Sequence, residues 1–154
     1  MLSQLCRDSE KRKVMSVTQI LLVDDFVPWQ LLLREMLASE ADFKIIGTAS
    51  DGLEAVHKAT EAQPDLVLMD ISLPKLNGFE AAQHIRMLSP SSSILFLSER
   101  RGSDFIDAAF QAGGLGYVLK CDVTSDLFAG IRSVLKGQRF VSCSLRYGQD
   151  VADY

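Results

Sequence analysis

Short apolar runs alternate with amphipathic stretches along most of this chain. Residues 19–24, Gln-Ile-Leu-Leu-Val-Asp, form a continuous apolar run that closes on acid, the pattern of a strand buried on both faces. Residues 28–39 follow, with Trp29, Leu32, Leu33, Met36 and Leu37 at helical spacing and Pro28 suited to a first helical turn. Residues 43–49 read as a second strand. Asp51 then stands as an N-cap with Glu54 reaching back to it, and the helix they open ends near Ala62, before Pro64. Residues 65–70 are a third strand that again closes on acid, followed by a loop with Pro74 and the turn signal Asn77-Gly78. Helix 79–88, strand 93–98, helix 103–112, strand 116–120 and helix 124–136 complete the pattern. Gly113-Gly114 stops one helix and Gly137 the last. The final helix puts Leu127, Ile131, Val134 and Leu135 on one face, and residues 139–142 read as one more extended piece.

Five β-α units whose strands are unbroken apolar runs predict an α/β fold, a parallel sheet covered on both faces. Right-handed crossovers leave few topologies, and the natural one is a doubly wound five-stranded sheet in the order 2-1-3-4-5.

Composition narrows the classes. The chain has 154 residues, 47% hydrophobic and 23% charged, which suits a single globular domain. Its net charge of -4 disfavours stand-alone nucleic-acid binding, so no direct nucleic-acid contact is expected of this segment. The three cysteines, Cys6, Cys121 and Cys143, form no CxxC pair and are odd in number, which argues against a disulfide framework or zinc site and for a reducing, cytoplasmic setting. No apolar run approaches the ~20 residues of a membrane span. Residues 1–17, with Arg7, Lys11, Arg12 and Lys13, read as a flexible extension, residues 18–142 as the folded domain and residues 143–154 as a polar tail.

In an open α/β sheet, ligands bind beyond the carboxyl ends of the strands, at the switch point, here between strands 1 and 3. Strand 1 ends in Asp24 and Asp25, strand 3 in Asp70, strand 4 in Ser98 and strand 5 in Lys120. Clustered carboxylates repel unless a cation joins them, and hard oxygen donors suit Mg²⁺. Lys120 and Ser98 facing such a centre would trap an anion with several oxygens, and an aspartate can itself be the nucleophile in phosphoryl transfer. Asp70, central in strand order, is the candidate acceptor.

These residues resemble the receiver domain of two-component response regulators. The matching set is Val23-Asp-Asp25, Asp65 to Asp70, Leu73-Pro74, Asn77-Gly78, Leu97-Ser98 and Gly116-Tyr-Val-Leu-Lys120, in family order and spacing. The Gly-Leu-Glu-Ala and Gly-Tyr-Val-Leu-Lys segments are most similar to the nitrate-regulator-like subfamily, which pairs receivers with helix-turn-helix output domains. The resemblance implies a flavodoxin-like (βα)5 fold and a bacterial signalling switch, self-phosphorylating and self-dephosphorylating, rather than a metabolic enzyme. It implies that Asp70 accepts a phosphoryl group from a histidine kinase or phosphotransfer protein. Asp25, Asp70 and the Ser72 backbone carbonyl would hold Mg²⁺, with Asp24 acting through water. Lys120 would pair with the phosphoryl oxygens, Ser98 would turn towards them, and Tyr117 would move inward. That motion would alter the face of helix 4, strand 5 and helix 5 and favour a homodimer.

Three positions depart from the family pattern: Phe26 after the acid pair, Glu99 after Ser98, and Cys121 in place of the proline that often follows the lysine. Glu99 places a negative charge where a phosphoryl group would arrive. It supports the alternative of a degenerate receiver that binds partners independently of phosphate. An Asp-nucleophile phosphohydrolase would need a second acid at position 72, which is Ser, and a flavodoxin-like cofactor carrier would need a Ser/Thr-rich loop where Asp25-Phe-Val-Pro28 stands. His57 and His84 lack ligand spacing, Arg100-Arg101 read as a solvated loop, and the Trp29 stripe reads as core.

Overall fold

The computed structural model describes residues 16–146. At the centre of the sheet lie β1 (Thr18–Val23) and β3 (Leu66–Met69), paired in parallel with Ile20 opposite Leu66 and Val23 opposite Met69. β2 (Phe43–Ala49) flanks β1 on one side, and β4 (Ser93–Ser98) and β5 (Gly116–Leu119) extend from β3 on the other. The helices between them are α1 (Val27–Ala38), α2 (Gly52–Ala62), α3 (Gly78–Leu88), α4 (Ser103–Gln111) and α5 (Val123–Leu135). A 3-10 turn, Lys120–Asp122, joins β5 to α5.

The expected order 2-1-3-4-5 is present, with one addition. Phe140–Val141 forms a short β6 that pairs in parallel with β5, giving six strands in the order β2-β1-β3-β4-β5-β6. Its backbone is held by Phe140 N–H to the Leu115 carbonyl (3.0 Å) and Ser142 N–H to the Tyr117 carbonyl (2.9 Å).

Successive strand residues point to opposite faces, and both faces are buried. Leu21, Val23, Val67, Met69, Phe96, Tyr117 and Leu119 join α2, α3 and α4 in one core layer. Ile20, Leu22, Leu66, Leu68, Leu95, Leu97 and Val118 join α1 and α5, through Leu33, Leu37, Leu127, Ile131 and Val134, in the other. Each such side chain contributes about 1.5–3 kcal/mol by leaving water. Two expected core positions face outward instead: Leu32 is 40% exposed and Leu135 37%. Each helix buries a narrower stripe than its apolar residues outline, and the neighbours Leu33 and Val134 take the inward positions.

Local signals behave as the residue chemistry requires. Asp51 Oδ1 accepts the Glu54 N–H at 2.8 Å, and Glu54 reaches back one residue further, to the Ser50 N–H. Asn77 caps α3 through the Glu80 N–H (2.9 Å), so the turn signal is a helix start. Gly78 is needed for close approach: a Cβ there would lie 2.1 Å from the Asp70 carbonyl oxygen. Gly137 adopts φ 76 just past α5.

Residues 143–146, assigned to the tail by sequence, form a helical turn. Asp126 accepts the Cys143 N–H at 2.7 Å, and Asp122 accepts both the Ser144 N–H (3.2 Å) and hydroxyl (2.6 Å). Leu145 is 5% exposed and belongs to the same core layer as Tyr117, so packed structure continues past residue 142. Of the expected N-terminal extension, residues 1–15 lie outside the described residues.

Candidate functional site

The end of β1 is stitched to both neighbours. The Asp24 N–H donates to the Ala49 carbonyl at 3.0 Å, and the Asp70 N–H donates to the Val23 carbonyl at 2.9 Å. Parallel pairing therefore delivers Asp24 and Asp70 side by side at the carboxyl edge. The chain turns sharply after Asp24 because its Oδ1 accepts the Phe26 N–H at 2.9 Å. Gln30, on the first turn of α1, donates its side-chain amide to the Asp24 carbonyl. Asp70 Oδ1 accepts the Ile71 N–H at 2.8 Å.

Lys120 enters from the turn after β5. Its Nζ lies 2.7 Å from Asp24 Oδ2 and 3.7 Å from Asp70 Oδ2, with its side chain 14% exposed. Asp24 and Asp70 are buried, Asp25 is exposed, and the three can each aim an oxygen within 4.8 Å of the others. They share a cavity of about 470 Å³ with Lys120, Ser72, Ser98, Phe26 and Glu99. Burial, reinforced by the negative charge of Asp24, pushes the Asp70 carboxyl up to about 6 against the pull of Lys120. A cation brought into this pocket would relieve that strain, and three carboxylates are the hard donors a Mg²⁺ ion takes.

Ser98 and Tyr117 are linked through the backbone of Arg100, in the loop after β4. The Arg100 N–H donates to Ser98 Oγ at 3.0 Å, and the Tyr117 hydroxyl donates to the Arg100 carbonyl at 2.7 Å. Tyr117 is 0% exposed, and burial pushes its phenol up. Arg100 contributes through its backbone, for which residue type carries no signal. Its guanidinium meanwhile lies over the Phe105 ring, 5.5 Å from the centroid. Gln30 and Trp29 were equally hidden inside an apolar helical stripe. His57 pairs with Glu61 at 3.3 Å on the exposed side of α2, away from the acid cluster. The peptide bond between Lys120 and Cys121 is trans.

A doubly wound parallel sheet that brings an acid cluster, a hydroxyl and a lysine to its switch point defines a receiver-type switch domain. The family profile of the response regulator receiver domain matches residues 20–132, and this chain belongs to that family. Response regulators of this family are signalling proteins of two-component systems, and receiver domains generally bind Mg²⁺ at an acidic cluster.

Among curated relatives, the chain is 37% identical over 105 residues to a protein-glutamate methylesterase/protein-glutamine glutaminase of Thermotoga maritima, covering 68% of this chain and 30% of that protein. It is 32% identical over 120 residues to the transcriptional regulatory protein LiaR of Bacillus subtilis, covering 78% and 57%. The chain thus spans well under two thirds of the length of these relatives. Among solved structures, a two-component response regulator of the LuxR family from Aurantimonas sp. SI85-9A1 superimposes with a TM-score of 0.81 at 33% identity, covering 90% of this chain and 97% of that one. No helix among the described residues is long and apolar enough to cross a membrane.

Proposed function

We propose that this chain is a phosphoacceptor switch, in which Asp70 takes a phosphoryl group from the phosphohistidine of a histidine kinase or phosphotransfer protein in a Mg²⁺-dependent reaction. The observation that carries this reading is the meeting of three carboxylates within 4.8 Å with the Lys120 ammonium at 2.7 and 3.7 Å from two of them. In the transfer an Asp70 oxygen forms the new O–P bond as the N–P bond breaks, and the departing imidazole keeps the electron pair. Asp70 Oδ2 faces Lys120 while Oδ1 is tied to the Ile71 N–H, so the oxygen beside the ammonium is the freer nucleophile.

Asp25, Asp70 and the Ser72 backbone carbonyl would hold Mg²⁺, which when bound neutralises charge on the incoming oxygens. Both Asp24 oxygens are engaged, one by the Phe26 N–H and one by Lys120, which supports a role for Asp24 through water. Lys120 pairs with the phosphoryl oxygens, and the Ser98 hydroxyl turns to them. That turn disturbs the Arg100 N–H bond and, through Arg100, the hydroxyl contact of Tyr117. The local charge gain thereby biases the face of α4, β5 and α5, where a homodimer or other protein partner would bind. The setting is cytoplasmic, the chain is a signalling switch rather than a metabolic enzyme, and this segment makes no direct nucleic-acid or membrane contact.

Glu99 lines the same cavity and favours one other reading, a degenerate receiver that binds partners without phosphate. One experiment decides between the two. Incubation with Mg²⁺ and acetyl phosphate should add one acid-stable, base-labile phosphoryl group by intact mass, and Asp70→Asn should abolish it. An unmodified wild type, unresponsive to beryllofluoride, establishes the degenerate reading instead.

A further inference from the structure

The ammonium of Lys120 is held by less than its role requires. Among the described residues, only Asp24 lies within hydrogen-bond distance, at 2.7 Å, since the 3.7 Å separation from Asp70 is too long for one. A lysine has three donors on a flexible four-carbon stem, so one such contact does not fix its head. The remaining support is aromatic: Lys120 Nζ lies 5.0 Å from the ring centroid of Trp29, the one tryptophan of the chain. That is inside the ~6 Å range over which an indole face attracts a cation, and indole is the strongest of the aromatic partners.

Trp29 is itself anchored to the acid turn. It stands in the first turn of α1 beside Pro28, and its N–H donates to the Phe26 carbonyl at 3.1 Å. The next residue, Gln30, binds the Asp24 carbonyl. The ring is therefore fixed relative to the same aspartate that holds the lysine. Its Nε1–H is buried with no hydrogen-bond partner among the described residues. An orphaned donor is costly, and a leucine at this position would fill an apolar stripe without it. What the tryptophan adds over leucine is its π face.

We infer that Trp29 is a positioning residue for Lys120: its indole face backs the ammonium so that the charge stays between Asp24 and Asp70 when the phosphoryl group arrives. The inference rests on the phosphoacceptor reading. Its apolar surface also keeps water from one side of the ammonium, which strengthens the attraction of the phosphoryl oxygens.

Two measurements on the full chain test it. The first needs no phosphoryl transfer. In the NMR spectrum the ε-methylene protons of Lys120 should be shifted upfield by the indole ring current. Trp29→Met should remove the shift and Trp29→Phe should keep part of it. The second is the rate of Asp70 phosphorylation by acetyl phosphate at saturating Mg²⁺. Trp29→Met should lower the maximal rate about five- to tenfold with unchanged half-saturating Mg²⁺, while Trp29→Phe stays within about threefold of the wild type. Equal losses in the Met and Phe variants overturn the inference in favour of simple packing, as does an absent ring-current shift. If Trp29→Met does not fold, the Phe variant and Trp29→Tyr carry the comparison, and a loss there as large as that of Lys120→Ala also overturns it. Should the wild type itself fail to be phosphorylated while the ring-current shift is present, the phosphoacceptor reading fails and the contact stands.

Discussion

Tyr117 and Arg100 are joined by a single hydrogen bond: the phenol donates to the Arg100 carbonyl at 2.7 Å across the space between β5 and the loop after β4. Since the Arg100 N–H binds Ser98, the tyrosine is tied by one intervening residue to the hydroxyl at the acid pocket.

Tyr117→Phe removes that tie and leaves the ring buried. The Arg100 carbonyl would lose its partner, at a cost of about 1 kcal/mol. Urea denaturation should show a lower midpoint at unchanged slope, and amide exchange in residues 99–102 should quicken. Exchange at wild-type rates would show that the loop is held by something else.

The raised pKa of Asp70 makes the metal-free protein sensitive to pH. Its folded value of about 6 lies above its ordinary value of 3.8, so between these the folded state binds more protons than the unfolded one. Its destabilising effect is absent below the lower value and grows as pH rises through the window. Asp70→Asn should therefore stabilise the metal-free protein at pH 7.5, by about 1–2 kcal/mol once screening at the open mouth is allowed for. At pH 4 the gain should nearly vanish, and Mg²⁺ should shrink it at pH 7.5. Thermal melts at the two pH values, with and without Mg²⁺, check all three.

Lys120→Ala leaves Asp24, 2% exposed, without its cation. Breaking one half of a buried pair costs about 3–5 kcal/mol. Melting should fall by about 10 °C or more, and added Mg²⁺ should restore part of the loss by bringing positive charge back to the pocket.

Asp122→Ala should release the C-terminal turn without disturbing the sheet. Ser144 loses both of its side-chain-mediated bonds, while β6 keeps its backbone bonds to Leu115 and Tyr117. Hydrogen exchange should rise at Ser144 and neighbouring amides and stay slow in β1 and β3. Faster exchange throughout the sheet would contradict this.

The five main strands were legible because each is an apolar run bounded by polar residues, and the acid-ended runs gave Asp24, Asp25 and Asp70 before any geometry was known. Helix boundaries followed from caps such as Asp51 and stops such as Gly137. What was illegible depended on partners distant in sequence. The extended piece at 139–142 was legible, but its place beside β5 was not, because β6 has only two residues and its pairing rests on backbone bonds and on Ser142 Oγ accepting the Leu119 N–H at 3.1 Å. The helical turn at residues 143–146 has few apolar residues and is fixed by hydrogen bonds to Asp122 and Asp126, well before it in the chain. Arg100 acts through its peptide groups. Leu32 matches the helical period, yet α1 buries Leu33 and Leu37 and leaves Leu32 40% exposed.

The clamp on the C-terminal turn has a mechanical meaning. Asp122, which holds Ser144, stands two residues after Lys120, and Leu119, immediately before it, gives its N–H to Ser142. A pull on the chain at Arg146 would thus load both flanks of the lysine before it peeled any of the five long strands. Conversely, any shift of the lysine would change the tension at that exit. The chain thus leaves the sheet by a tether whose hydrogen bonds run to both sequence neighbourhoods of Lys120.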